Sequence, residues 1–223
     1  MTSHRTPIGL EVLYRVLLEE QGHQHWWPAD SIDEIIMGAI LTQRVSWSNV
    51  EKALNNMREA GINSLRDLGK HPASILAGLI RPALYYNQKA KKLKSFSKFC
   101  ESEFGCDTAL MFETPLPLLR SKLLELWGLG PETVDSILLY AGSMPVFVID
   151  AYTNQLLWRL GHVPELRTYS GWQRYISERI PVSVPLYQDF HAQIVVVCKN
   201  HCRKKPVCIT CPLAGLCNMR LDE

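Results

Sequence analysis

The sequence predicts an all-α protein, and three observations carry that expectation. Apolar residues recur at spacings of three and four along most of the chain, the period of amphipathic helices. Strand-like content is confined to Pro145–Ile149. No internal repeat, low-complexity tract or long linker interrupts the pattern. At 223 residues, 47% hydrophobic and 21% charged, the chain can bury a sizeable core. No apolar run approaches the roughly 20 residues that a membrane helix needs, and Met1–Pro7 is too polar for a signal-peptide core. A cytoplasmic protein without membrane contact is the expectation. Net charge is only +2 and the pI is near 8.1, so any nucleic-acid surface has to be local.

Each element has its own warrant. Ile8, Val12, Leu13, Val16 and Leu17 share one face of a helix over 7–21. A polar loop with His23 and His25 leads to Trp26-Trp27-Pro28. Asp30 or Ser31 can cap a helix over 32–41, whose centre is almost wholly apolar and therefore buried. Ser46 or Ser48 starts a helix over 47–60, and Gly61 stops it. Short helices follow near 64–69 and 72–79. Residues 87–103 form a longer basic helix in which Lys89, Lys91, Lys92, Lys94 and Lys98 suggest a solvated face, part of it free to meet phosphate. Thr114 or Pro115 opens the next helix. Beyond Asp150 a helix runs to Leu160 with Gly161 as stop, then two more span roughly 170–179 and 185–200.

The stretch 123–150, LLELWGLGPETVDSILLYAGSMPVFVID, organises the chain. Gly128-Leu129-Gly130 turns the backbone between two helices, and Pro131 suits a first helical turn. Without Cβ at 128 and 130, backbone N–H groups there can approach a phosphate oxygen. This helix-hairpin-helix pattern docks on a DNA backbone without reading bases. Gly128, Leu129, Gly130 and Thr133 are its DNA-contact candidates. Asp150 closes the apolar run and also precedes a helix, so it can cap that helix as well as act chemically.

Five of seven cysteines fall between 198 and 217. Cys202, Cys208, Cys211 and Cys217, with gaps of five, two and five residues, form a four-thiolate set that suits a [4Fe–4S] cluster or, alternatively, zinc. Cys198 is a substitute first ligand by spacing. Cys100 and Cys106 are expected to be free thiols. Arg203, Lys204 and Lys205 lie between the first two ligands, where a pinned loop holds cations towards phosphate.

The hairpin followed by Asp150 resembles the endonuclease III-like helix-hairpin-helix DNA glycosylases. GAILTQ at 38–43, Trp26-Trp27-Pro28, IRPALYYNQKAKKL at 80–93 and ETVDSILLYA at 132–141 are similar to the 3-methyladenine DNA glycosylase III branch. The cysteine loop departs from that branch and resembles the endonuclease III side, although the first gap in this chain is one residue shorter than in those relatives.

The resemblance implies a two-lobed fold, with one lobe near 29–142 and the second made of 1–28 and 143–223, and Asp150 at the mouth of the cleft between them. It implies a monomer that acts on double-stranded DNA containing a damaged base. Asp150 would be the catalytic carboxylate, stabilising oxocarbenium charge or activating water. Gln43 would fill the gap left by a flipped nucleotide. Relatives that also cut the strand carry Lys where this chain has Glu132, and a carboxylate cannot form an imine. The expectation is therefore a monofunctional glycosylase for alkylated purines, with Glu132 a helix-dipole partner or a second catalytic carboxylate. Such purines are cationic and favour aromatic walls, for which Trp26, Trp27 and Trp47 are candidates with Pro28 beside them. The alternatives are a glycosylase/lyase for oxidised, deaminated or mismatched bases and a non-catalytic DNA-binding module.

Overall fold

The computed structural model describes residues 6–218, and among them every regular element is helical. They form two compact units, residues 27–144 and a unit that joins the N-terminal segment to residues from 145 onward.

The unit of residues 27–144 is built around α2 (Ile32–Leu41), whose residues from Ile36 to Leu41 are all buried. Ser31 caps it by accepting from the Glu34 N–H at 3.1 Å. Helices α3 (Trp47–Glu59) and α6 (Tyr86–Phe104) pack on α2. Short α4 (Leu65–Lys70) and α5 (Ala73–Leu79) lie on α6, followed by α7 (Thr108–Phe112) and α8 (Leu116–Leu124). The expectation of a solvated lysine face on α6 fails at Lys89, which is 1% exposed. Its Nζ donates to the carbonyls of Leu41 (2.8 Å) and Ala83 (2.6 Å). It thus closes one carbonyl left open by the last turn of α2 and one at the end of the 3-10 turn Arg81–Ala83. Burial first, then Lys92, pulls its pKa down to about 8. Lys94 does similar work on α4, donating to Leu68 and Gly69 carbonyls at 3.0 and 2.7 Å.

The hairpin joins α8 to α9 (Pro131–Ser136), which widens into one π-helical stretch, Ile137–Ala141. A two-pronged ion pair braces its arms. Arg120 donates from Nε and Nη2 to the two carboxylate oxygens of Asp135, at 2.7 and 3.1 Å, and the Asp135 side chain is 0% exposed.

In the other unit, α12 (Val184–Asn200) is the central helix, with α1 (Leu10–Gln21) and α10 (Ala151–Leu160) packed on it and α11 (Tyr169–Ser177) completing the set. Asp189 fastens the N-terminal segment to α12: it accepts from Tyr14 Oη (3.0 Å) and the Gln24 N–H (2.9 Å) and pairs with His23 (3.3 Å). Residues 146–149 are buried, yet they form no strand. Side chains of α11 serve their backbone instead. Gln173 Nε2 donates to the Phe147 carbonyl at 2.8 Å, and the Ile149 N–H reaches Tyr169 Oη at 3.4 Å.

Candidate active site and nucleic-acid interface

Asp150 ends that buried run and is the N-cap of α10. One carboxylate oxygen, Oδ1, accepts from the Thr153 N–H (2.7 Å) and Thr153 Oγ1 (2.8 Å). The other, Oδ2, lies 3.6 Å from His191 Nε2, and the side chain is 13% exposed. Burial pushes this carboxyl up, but His191 and the Thr153 contacts outweigh it and the net shift is downward. Asp150 is therefore an anion held in a poorly hydrated setting. The cap engages one oxygen only, so Oδ2 is left for other partners.

In the hairpin, Gly128 has φ +79°, a conformation that suits glycine, and a Cβ there would lie 2.5 Å from Lys92 Cε. The lysine stem covers the turn. Its Nζ donates to Gln43 Oε1, while Gln43 Nε2 donates to Thr133 Oγ1 at 2.9 Å and the Gly128 carbonyl at 3.3 Å. Gln43, just past α2, is thereby tied to the hairpin. Burial and the neighbouring Arg44 lower the Lys92 pKa. Leu129 is buried, Gly130 is exposed and caps α9, and Thr133 is buried. Glu132 is exposed in the first turn of α9, where its charge favours the helix dipole. It belongs to the 27–144 unit, whereas Asp150 belongs to the other. Lys122, the lysine close to Glu132 in sequence, is paired with Glu103 at 2.6 Å.

Of the three tryptophans, Trp27 and Trp47 belong to the 27–144 unit. Trp27 packs edge-on against Trp47 (centroids 5.4 Å apart, 84°) and Tyr140 (5.2 Å, 61°). Gly38 makes room for that pair, since a Cβ there would sit 3.2 Å from Trp27 Nε1 and 3.5 Å from Trp47. Pro28 and Trp47 line a surface cavity of about 420 Å³ that also presents Asp30, Glu34, Glu51 and Arg58. Trp26 lies with the other unit, edge-on to His191 at 6.1 Å and with Lys199 Nζ 5.9 Å from its ring centre.

Cys202, Cys208, Cys211 and Cys217 all line one cavity, together with Leu156, Arg159, Leu160, Pro206 and Leu213. Arg159, buried on α10, donates from Nη1 to Cys202 Sγ (3.3 Å) and to the carbonyls of Cys202 (3.2 Å) and Arg203 (2.8 Å). The Cys198 thiol and then Arg159 pull the Cys202 thiol down, whereas burial and the other three thiols push Cys211 up. Cys198 itself is turned to the Tyr152 carbonyl at 3.6 Å and does not line the cavity. Of these two thiols, Cys202 is the one at the cavity wall. Among the described residues no group of three His, Cys, Asp or Glu side chains closes into a compact metal shell. Four thiols around a shared cavity with a guanidinium at its wall are chemically suited to a larger thiolate-bound group. Arg203, Lys204 and Lys205 are exposed in the adjoining turn. The remaining two thiols, Cys100 and Cys106, lie at the C-terminal end of α6, outside any disulfide.

Sequence reasoning missed His191, Thr153, Lys92's role at Gln43, and Arg159. Thr153, three residues after Asp150, was readable as a capping partner. The others are set by which helix faces meet, and carry no local signal.

A family model for the HhH-GPD superfamily base excision DNA repair proteins matches residues 37–182. The chain belongs to that superfamily and is a DNA glycosylase of the base excision repair family. It is 42% identical over 207 residues to a candidate DNA repair glycosylase of Methanocaldococcus jannaschii, covering 92% of this chain and 94% of that one. The H. pylori 3-methyladenine DNA glycosylase, solved with 1,N6-ethenoadenine, superposes with a TM-score of 0.74 at 29% identity, over 86% of this chain and 97% of that one. An endonuclease III trapped covalently on DNA superposes with a TM-score of 0.78 over 95% and 97% of the two chains; at 18% identity it shares the fold. No helix among the described residues is long and apolar enough to cross a membrane.

Proposed function

We propose that this glycosylase hydrolyses the N-glycosidic bond of alkylated purines in double-stranded DNA and leaves the abasic strand uncut. The observation that carries this reading is the state of Asp150. It is an ionised carboxylate in a desolvated setting, with Oδ1 spent on the helix cap and Oδ2 facing a buried imidazole. An anion so held stabilises the positive charge that develops on the sugar as the base departs, and can orient the attacking water. Leaving-group activation is the lesion's own contribution, since N3- and N7-alkylation already places positive charge on the purine.

The hairpin would hold the DNA backbone through Gly128, Leu129, Gly130 and Thr133, assisted by Arg203, Lys204 and Lys205. Gln43 would enter the duplex as the nucleotide turns out. Trp26, Trp27, Trp47 and Pro28 are the apolar candidates for the base, and the ethenoadenine held by the H. pylori relative supports a purine-sized occupant. Glu132 stands where an imine-forming lysine would be needed, and Lys122 is engaged with Glu103; both favour hydrolysis without strand cleavage. Cys202, Cys208, Cys211 and Cys217 would hold a [4Fe–4S] cluster, which when bound cross-links the loop carrying the three cations and has no part in base hydrolysis. We further infer a monomer acting in the cytoplasm.

Purified protein incubated with randomly N-methylated DNA, with Asp150→Asn alongside, tests the assignment by chromatography of the released bases. The expected result is 3-methyladenine or 7-methylguanine from the wild type and neither from the variant. Release confined to mismatched or oxidised bases would overturn the substrate class, and a borohydride-trapped protein–DNA adduct would overturn the absence of lyase chemistry.

A further inference from the structure

Helix α12 carries three buried polar side chains at alternate positions, Asp189, His191 and Gln193. Two of them fasten the N-terminal segment. Asp189 takes hydrogen bonds from Tyr14 and Gln24. Gln193 accepts from Gln21 Nε2 at 2.7 Å and donates to the Gly22 carbonyl at 2.6 Å. Four residues apart, these two share a helix face. His191, two residues from each, points elsewhere, towards the start of α10.

There its Nε2 lies 3.6 Å from Asp150 Oδ2. The ring is 5% exposed and held edge-on by Trp26 (6.1 Å, 75°) and Phe147 (6.5 Å, 88°). Aromatic walls on two sides leave the imidazole little rotational freedom, so its nitrogen is aimed before any ligand arrives. Thr153 fixes the other carboxylate oxygen. A distance of 3.6 Å is longer than a direct hydrogen bond and within ion-pair reach, and contacts of this kind tighten when substrate is bound.

We propose that His191 is a positioning residue for Asp150: its Nε2–H holds Oδ2 in the orientation that faces the sugar, while Thr153 holds Oδ1. The same ring touches Trp26, so the acid and one aromatic candidate for the base pocket are set by a single side chain. The inference rests on Asp150 being the catalytic carboxylate.

A probe that needs no knowledge of the preferred lesion tests it. Duplexes are prepared with either a cationic pyrrolidine or a neutral tetrahydrofuran in place of one abasic sugar, and the ratio of their dissociation constants is measured. That ratio reports how well the protein's carboxylate meets positive charge at the sugar. Wild type should prefer the cation, and Asp150→Asn should abolish the preference. His191→Leu should lower it about tenfold, the worth of a hydrogen bond to a charged group. His191→Gln, which keeps an N–H donor, should stay within about threefold of wild type on the same scale. Tetrahydrofuran binding and thermal unfolding should be alike in the two His191 variants.

Absence of any preference in the wild type would remove the catalytic assignment of Asp150 and this proposal with it. A preference lost in Asp150→Asn but intact in His191→Leu would remove the positioning role alone. Equal losses in Leu and Gln variants would show that the ring matters by its shape, which also overturns the proposal.

Discussion

Asp150 and Gln43 are both polar residues at helix boundaries, and the two units treat them in opposite ways. Asp150 is fixed by Thr153 of α10 and faces His191 of α12, whose ring is in turn walled by Trp26 and Phe147. Gln43 is held at a half-buried position by Lys92, Thr133 and a backbone carbonyl, three hydrogen bonds from groups that could equally serve a nucleic acid. The contrast fits two demands. In the proposed reaction the charge of Asp150 meets a developing cation, and it gains from being immobile and poorly hydrated. In the same proposal Gln43 leaves its resting place, which calls for contacts whose loss costs about 1 kcal/mol each, and somewhat more for the bond from the Lys92 ammonium.

The sharpest way to break this comparison is Asp150→Asn. Base release from methylated DNA should fall about a thousandfold, whereas stability should change by only a few tenths of a kcal/mol, because Asn caps helices nearly as well as Asp. If stability fell instead, the residue's main role would be structural. Within the hairpin unit, Asp135→Ala leaves Arg120 without its buried partner and should cost about 3 kcal/mol in urea unfolding at pH 7. A much smaller loss would show that the hairpin arms do not depend on that brace.

Lys89 supplies a pH test. Its folded pKa, about 8, lies below the unfolded value of 10.5. Between those values the unfolded chain binds more protons, so this lysine's contribution to stability should rise as pH goes from about 8 to 10.5. The gain should be roughly 2 kcal/mol relative to Lys89→Met, and parallel pH profiles for the two proteins would show that Lys89 stays charged without penalty. The smallest expected effect is at Lys92. If its ammonium passes from Gln43 to a phosphate on binding, Lys92→Met should reduce the slope of log Kd against log salt by about 0.9. An unchanged slope would confine Lys92 to holding Gln43.

Much of the site was legible in the chain. A G-x-G turn before Pro131, an apolar run ending at Asp150, and four cysteines at short spacing are local patterns, and each was readable because its residues lie close together in the chain. Other features were not. Lys89 reads as one more cation on a basic helix, and its burial follows from α6 passing the carbonyl end of α2. Residues 145–149 have the composition of a strand, but Gln173 and Tyr169, far along the chain, supply their hydrogen bonds. Cys198 and Cys202 were both open by spacing; they are four residues apart, and of the two only Cys202 lines the cavity shared with the other three thiols.

Sequence by itself thus determined the helical class and the hairpin, and it nominated the carboxylate and the thiol set, because each is encoded by residues close together in the chain. Only the tertiary structure decided which neighbours act on them. His191 is 41 residues from Asp150 by number, Lys92 is 49 from Gln43, and such pairings arise when helix faces meet to bury apolar surface. Burial then sets the charge state and freedom of the polar groups caught between those faces, and no single segment carries that information.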